Sequence, residues 1–244
     1  MTSKLMYTLA LASVFLAPAN AAYIVETRSG GKGFADFGFG GDTTSASTST
    51  ATSAAVGTTT AIGSIFGGNG TTVDTYVYSY TPGSDADNTT FATGAILGSK
   101  TNFPGNGNVS TGLTGGVSGT YRVYLTVPES INVSTLGSDF TVTQDGASIL
   151  LSDVNLNNGG TGPDTDPGTA FVGGANNSWH LLGTVALTAG NTYTVTQASG
   201  DTSFVSQRGS AVMWELVAPA DVPEPAALVG FGLASLFFAA RRRK

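Results

Sequence analysis

The chain has 244 residues, 34 of them glycine and none cysteine, with 16 Asp and Glu against 10 Lys and Arg. Without cysteine there is neither a disulfide framework nor a thiolate nucleophile, and a single histidine excludes the usual zinc ligand sets. Between residues 22 and 220 five basic residues (Arg28, Lys32, Lys100, Arg122, Arg208) stand against fourteen carboxylates, a formal charge of −9. No basic patch exists there to neutralise phosphates, which argues against nucleic acid and anionic lipid as partners.

Met1 to Ala21 reads as a secretory signal. Lys4 supplies the positive start, Leu5 to Ala17 the apolar run, and Ala19-Asn20-Ala21 a small-x-small site for signal peptidase, leaving Ala22 as the first mature residue. An uncleaved anchor would need a longer apolar run. An exported chain without disulfides relies on its core, and residues 22–220 are enough to bury one.

Composition sets the class of that core. Helix formers are scarce, whereas Thr, Val and Tyr recur in short alternating runs, so residues 22–220 are expected to form an all-β domain. Tyr23-Ile24-Val25 opens it, followed by a glycine-rich aromatic turn with Phe34, Phe37 and Phe39. Residues 43–60 are almost entirely Thr, Ser and Ala, a low-complexity stretch suited to a surface loop or weak edge strands; a sugar-decorated stalk would call for interspersed proline. Val73, Thr75, Val77 and Ser79 alternate with Asp74, Tyr76, Tyr78 and Tyr80, a strand with an aromatic face that ends at Thr81-Pro82-Gly83-Ser84-Asp85. From Asn88 to Gly119, short apolar islands separated by Gly and Asn read as loops with one or two short strands.

The pattern sharpens after Thr120. Tyr121, Val123, Leu125 and Val127 share one face, opposite Arg122, Tyr124 and Thr126, until Pro128. Phe140 and Val142 lead through the Asp145-Gly146 turn to Ile149-Leu150-Leu151, Val154 and Leu156, a hairpin signal. Residues 157–174 form a Gly, Asp and Pro loop. Trp179 to Val185, the turn Ala189-Gly190-Asn191, Tyr193 with Val195, and Ala211 to Val217 complete the strands. Strands spaced by turns at this interval point to an antiparallel β-sandwich or jelly roll.

The last twenty-four residues carry a different chemistry. Asp221-Val222-Pro223-Glu224-Pro225 holds two prolines that stop the preceding strand. Uncharged Ala226 to Ala240 follows, then Arg241-Arg242-Arg243-Lys244. As a helix the apolar run is roughly 22 Å long against a hydrocarbon core of about 30 Å, so it spans with bilayer thinning and snorkelling of the arginines. The cations would stay on the cytoplasmic side and everything before Asp221 outside. A buried C-terminal helix of a soluble domain would not be expected to end in four charges.

Motif, apolar run and basic end in this order resemble the PEP-CTERM sorting signal, complete here as Val222-Pro223-Glu224-Pro225. The resemblance implies handling in the membrane by an exosortase, a cysteine transpeptidase acting near the motif. It also implies an exopolysaccharide-producing Gram-negative host, transient anchoring in the inner membrane and delivery to the cell surface or matrix. Residues 115–217 are similar to the golvesin and xanthan-lyase C-terminal type of β-sandwich, through Gly119-Thr120-Tyr121-Arg122-Val123-Tyr124, Trp179-x-x-Leu182-Gly183, Ala189-Gly190 and Ala211-Val212. That likeness implies an accessory, carbohydrate-associated module without a fixed catalytic set. Gly209-Ser210 stand near Ala211 where that family has an acidic pattern, a departure that weakens the carry-over of a ligand site.

No catalytic constellation emerges. His180, beside Trp179, is expected at a strand start and partly exposed, an ordinary surface histidine rather than a base, and no Gly-x-Ser-x-Gly elbow accompanies it. Glu26, Glu129 and Glu215 are the only glutamates from which a glycosidase carboxylate pair could draw an acid. No cofactor is expected, with one metal candidate: Asp153, Asn155, Asn157, Asn158 and Gly159, followed by Asp164 and Asp166, place oxygens at calcium-loop spacing. A strand with inward Val154 and Leu156 and an Asn-rich exit explains the same residues. Asp85, Asp87 and Asn88 offer a lesser set, read as turn residues. The resulting expectation is a non-enzymatic exported surface or matrix protein. A carbohydrate-binding module, with Tyr76, Tyr78 and Tyr80 as its platform, and a secreted hydrolase are the alternatives.

Overall fold

The computed structural model describes residues 22–40, 47–52, 61–67, 73–97, 107–126, 137–154, 156, 179–199 and 207–220. Among the described residues twelve strands run in chain order: β1 (Ala22–Glu26), β2 (Phe37–Gly40), β3 (Ser47–Thr52), β4 (Ala61–Gly67), β5 (Thr75–Tyr80), β6 (Gly119–Thr126), β7 (Ser138–Val142), β8 (Ile149–Val154), β9 (His180–Leu187), β10 (Tyr193–Ser199), β11 (Gln207–Gly209) and β12 (Ala211–Pro219). A single 3-10 turn, Phe34–Asp36, is the only helical element among the described residues.

Two antiparallel sheets make the sandwich. One has the order β1-β12-β6-β9, the other β2-β5-β10-β7-β8, and a small third sheet has the order β11-β4-β3. The low-complexity stretch thus supplies an edge strand, β3, which pairs with β4 from Ser47↔Phe66 to Thr52↔Ala61. Strand β4 has no counterpart in the sequence reading, because Gly63 and Gly67 interrupt its apolar letters.

The alternation of β5 survives, but its aromatic face points inward. Tyr76, Tyr78 and Tyr80 are each 0% exposed. Tyr80 packs at ring-centroid distances of 5.1 Å from Tyr23, 5.5 Å from Trp214 and 5.8 Å from Tyr121. An exposed sugar-stacking platform on these three tyrosines is therefore ruled out; they are the centre of the core between the sheets.

The first sheet is covered on both faces. Val212, Trp214 and Leu216 enter the inter-sheet core, while Ala211 and Met213 join Ala22, Ile24, Tyr124, Leu97 and Trp179 in a second cluster on the outer face. Double burial is why Ala211 to Leu216 shows no polar alternation and reads as a nearly continuous apolar run. At Gly209 an added Cβ would lie 2.8 Å from the Tyr78 hydroxyl and 2.9 Å from the Tyr76 ring, so glycine lets β11 pass over the tyrosines.

Strand directions sort the connections into two ends. β5, β7, β9 and β12 finish at one end, where β1, β6, β8 and β10 begin. The tight turns lie there and are joined to each other. Gly190 N–H donates to the Pro82 carbonyl at 2.7 Å, Ala189 N–H to Ser118 Oγ at 2.9 Å, and Asp145 N–H to the Ala186 carbonyl at 2.9 Å. From the opposite end leave the connections of β6 to β7, β8 to β9 and β10 to β11, while the longest, β5 to β6, starts and returns at the turn end. β11, which belongs to the small third sheet, pairs with β4 and runs directly into the start of β12 at that same end.

Candidate functional site

The sorting residues Val222, Pro223, Glu224 and Pro225, the basic residues Arg241, Arg242, Arg243 and Lys244, and the cleavage residues Ala19 and Ala21 lie outside the described residues. What the structure places is the frame from which they leave. β12 runs through a register shift between Leu216 and Ala218 to Pro219, the partner of Gly119. Ala220 N–H then donates to the Ser118 carbonyl at 2.7 Å. The sandwich is thus hydrogen-bonded up to the residue before Asp221, and the sorting motif begins two residues beyond the last sheet contact.

The other processing site has an equally short lead. Ala22, fully buried, is the Cα partner of Glu215 on the neighbouring strand, only four residues before Pro219. Its N–H donates to the Thr89 carbonyl at 3.0 Å. β1 and β12 are adjacent and antiparallel, so Ala22 and Ala220 stand at the same end of the same sheet.

Asp85, Asp87 and Asn88 are explained by this end of the fold. The Asp85 carboxylate accepts the Thr81 N–H and closes the turn after β5. Asp87 Oδ2 accepts the Gly115 N–H at 2.5 Å, and burial pushes its carboxyl up to about 6. Asn88 does something its turn-like spelling does not announce. Its Oδ1 accepts the Ile24 N–H at 2.9 Å and its Nδ2 donates to the Ile24 carbonyl at 2.8 Å. One side-chain amide thereby occupies both backbone groups of Ile24 on the free edge of β1, a device that blocks further strand addition.

The glutamates do not converge. Glu26 and Glu215 are both fully buried and both on the outer face of the first sheet. Glu26 pairs with Arg28 at 3.0 Å and accepts the Lys32 N–H at 3.0 Å. Glu215 accepts the Thr111 N–H at 2.9 Å and lies 3.5 Å from the Tyr124 hydroxyl; burial holds its acid above the ordinary range. Glu26 pairs with Ala211, four residues from Glu215 along β12, so the two carboxylates are separated by roughly 13 Å of strand. Glycosidase pairs are about 5–9.5 Å apart, so these two do not form one. Glu129 lies outside the described residues.

His180 corrects another expectation. It is 1% exposed, not partly exposed, because it opens β9 opposite Leu125 with its side chain on the inter-sheet face. Of the calcium candidates, Asp153 is described. Val154 and Leu156 are 0% and 2% exposed, so the inward alternation holds. Asp153 sits in the irregularity where Ser138 pairs with Val154 and Phe140 with Leu151, has φ 53°, and donates its N–H to Asp139 Oδ1 at 2.9 Å. Asx residues tolerate that left-handed backbone, which accounts for an aspartate here. Asn155, Asn157, Asn158, Gly159, Asp164 and Asp166 lie outside the described residues. Among the described residues no three His, Asp or Glu side chains gather as a metal site, and no helix is long and apolar enough to cross a membrane.

Residues 221–244 match the PEP-CTERM protein-sorting motif. No curated protein matches the chain. Among solved structures, a Paenibacillus xanthan lyase is similar with a TM-score of 0.46 and 18% identity, over 83% of this chain and 14% of the lyase chain. This is a weak likeness that transfers neither activity nor substrate. The sorting match makes residues 221–244 the tail of an exported protein handled by an exosortase.

Proposed function

We propose that the chain is a non-enzymatic surface or matrix protein of an exopolysaccharide-producing cell. Signal peptidase releases its start at Ala22 and an exosortase releases its sandwich from the inner membrane near Val222 to Pro225. The observation that carries this reading is the sorting motif following the last strand with almost no linker. Such a tail holds a finished β-sandwich at the membrane surface and passes it on when the backbone is cut. The core supports a structural role for the domain, since its aromatic side chains are spent on packing.

The test is a change in the motif alone. With Pro223→Ala and Glu224→Ala together, the protein should accumulate in the inner-membrane fraction and disappear from the surface extract, while the wild type does the reverse. Equal surface yield of the two would remove the motif from the account. A carbohydrate-binding role loses the platform on Tyr76, Tyr78 and Tyr80, which are buried.

A further inference from the structure

Four turn segments of the sandwich lie at the end from which the tail leaves. These are Thr81–Asp87, Leu113–Ser118, Thr143–Ser148 and Thr188–Thr192, tied together around Ala220 by the bonds from Gly190 to Pro82, Ala189 to Ser118, Thr188 to Asp145 and Ala220 to Ser118. Two large apolar side chains stand in the open beside that exit, Leu113 at 38% and Val117 at 43% exposure. The turns contain no Lys or Arg and carry Asp85, Asp87 and Asp145.

Reach fixes what this end can face. Asp221 to Pro225 are five residues, at most about 17 Å when fully extended. The headgroup layer beyond the hydrocarbon is roughly 5–8 Å thick. While Ala226 to Ala240 is in the bilayer, the turns therefore stand within about 10 Å of the headgroups, and the signal's exit at Ala22 is on the same side. We infer that the turn end of the sandwich is a docking face for a zwitterionic lipid surface, seated through Leu113 and Val117 while the tail is attached. The small β3-β4-β11 sheet and the connections of β6 to β7, β8 to β9 and β10 to β11 are then held outward, where a partner in the matrix would meet them. This inference rests on the reading of residues 221–244 as a membrane-inserted tail. The carboxylates of the turns and the absence of cations select against anionic lipid.

A chain without cysteine makes the test direct. Single cysteines are placed at Ala189, exposed in the turn end, and at Val73, exposed about 23 Å along the β5 direction toward the other end. Each is labelled with a fluorophore in the chain from Ala22 to Lys244 and reconstituted in phosphatidylcholine vesicles containing a headgroup quencher. The Ala189 probe should be quenched at least threefold more than the Val73 probe. Leu113→Ser with Val117→Ser should lower that ratio, and so should substituting half of the lipid with phosphatidylglycerol. Equal quenching, or stronger quenching at Val73, in chains that co-float with the vesicles overturns the docking face alone. Failure to co-float overturns the inserted tail, and the docking face with it.

Discussion

Asp87 is buried at 8% exposure where the loop after β5 meets the segment before β6, and its carboxylate accepts the Gly115 N–H. Burial raises its acid from 3.8 to about 6, so the folded protein binds a proton there more tightly than the unfolded chain. The contribution of Asp87 to stability is then fully present below pH 4 and is lost as pH rises through 6. The interval corresponds to a ceiling of about 3 kcal/mol, and about 2 kcal/mol is a reasonable working value for a side chain near the surface. Asp87→Asn keeps an oxygen acceptor for Gly115 and removes the buried charge. It should raise the melting temperature by roughly 4–8 °C at pH 7.5 and by little at pH 4.5. Thermal unfolding of both proteins at the two pH values decides it. An asparagine variant that melts lower than wild type at pH 7.5 would show that the charge is stabilised by its surroundings, contrary to the argument. Glu215 and Asp85 are raised by burial in the same direction, so the variant should retain part of the gain on acidification.

The core tyrosines should separate by what their hydroxyls do. Tyr78 has a fully buried hydroxyl with no hydrogen-bond partner among the described residues, so Tyr78→Phe should leave stability unchanged or raise it by about 1 kcal/mol. Tyr121 donates to the Val117 carbonyl at 2.6 Å and accepts its N–H at 3.2 Å; Tyr121→Phe should cost about 1–2 kcal/mol in denaturant melts. Asn88→Ala opens the edge of β1, and a loss of about 1–2 kcal/mol with new self-association in light scattering is expected; an unchanged monomer would refute the edge-blocking role. Millimolar calcium should not move the melting temperature. A rise of several degrees that vanishes in Asp153→Ala with Asp164→Ala would place a cation on residues 153–166.

The sandwich was legible where one face of a strand met the core and the other met water, as at Tyr76, Tyr78 and Tyr80 or at Phe140 and Val142. Alternation says that a face is apolar, not what covers it. A tyrosine row spells equally well a sugar platform and a packed core, and the Tyr23, Trp214 and Tyr121 rings against Tyr80 separate the two. His180 was misplaced for a related reason: its position at a strand start suggested solvent, but the strand begins inside the sandwich. Asn88 was invisible because its role depends on β1, sixty-four residues away. The sorting tail stood out because its chemistry is local: proline, apolar run and cations act in the order in which they are written.

The central claim is that this sandwich is exported, freed of its leader and cut from its tail at the end of β12. Intact mass spectrometry of the protein extracted from the cell surface reads both ends at once. A chain that begins at Ala22 and terminates between Val222 and Pro225, alone or joined there to an added group, is the predicted species. A surface-extracted chain that still carries Arg241 to Lys244 would contradict the account.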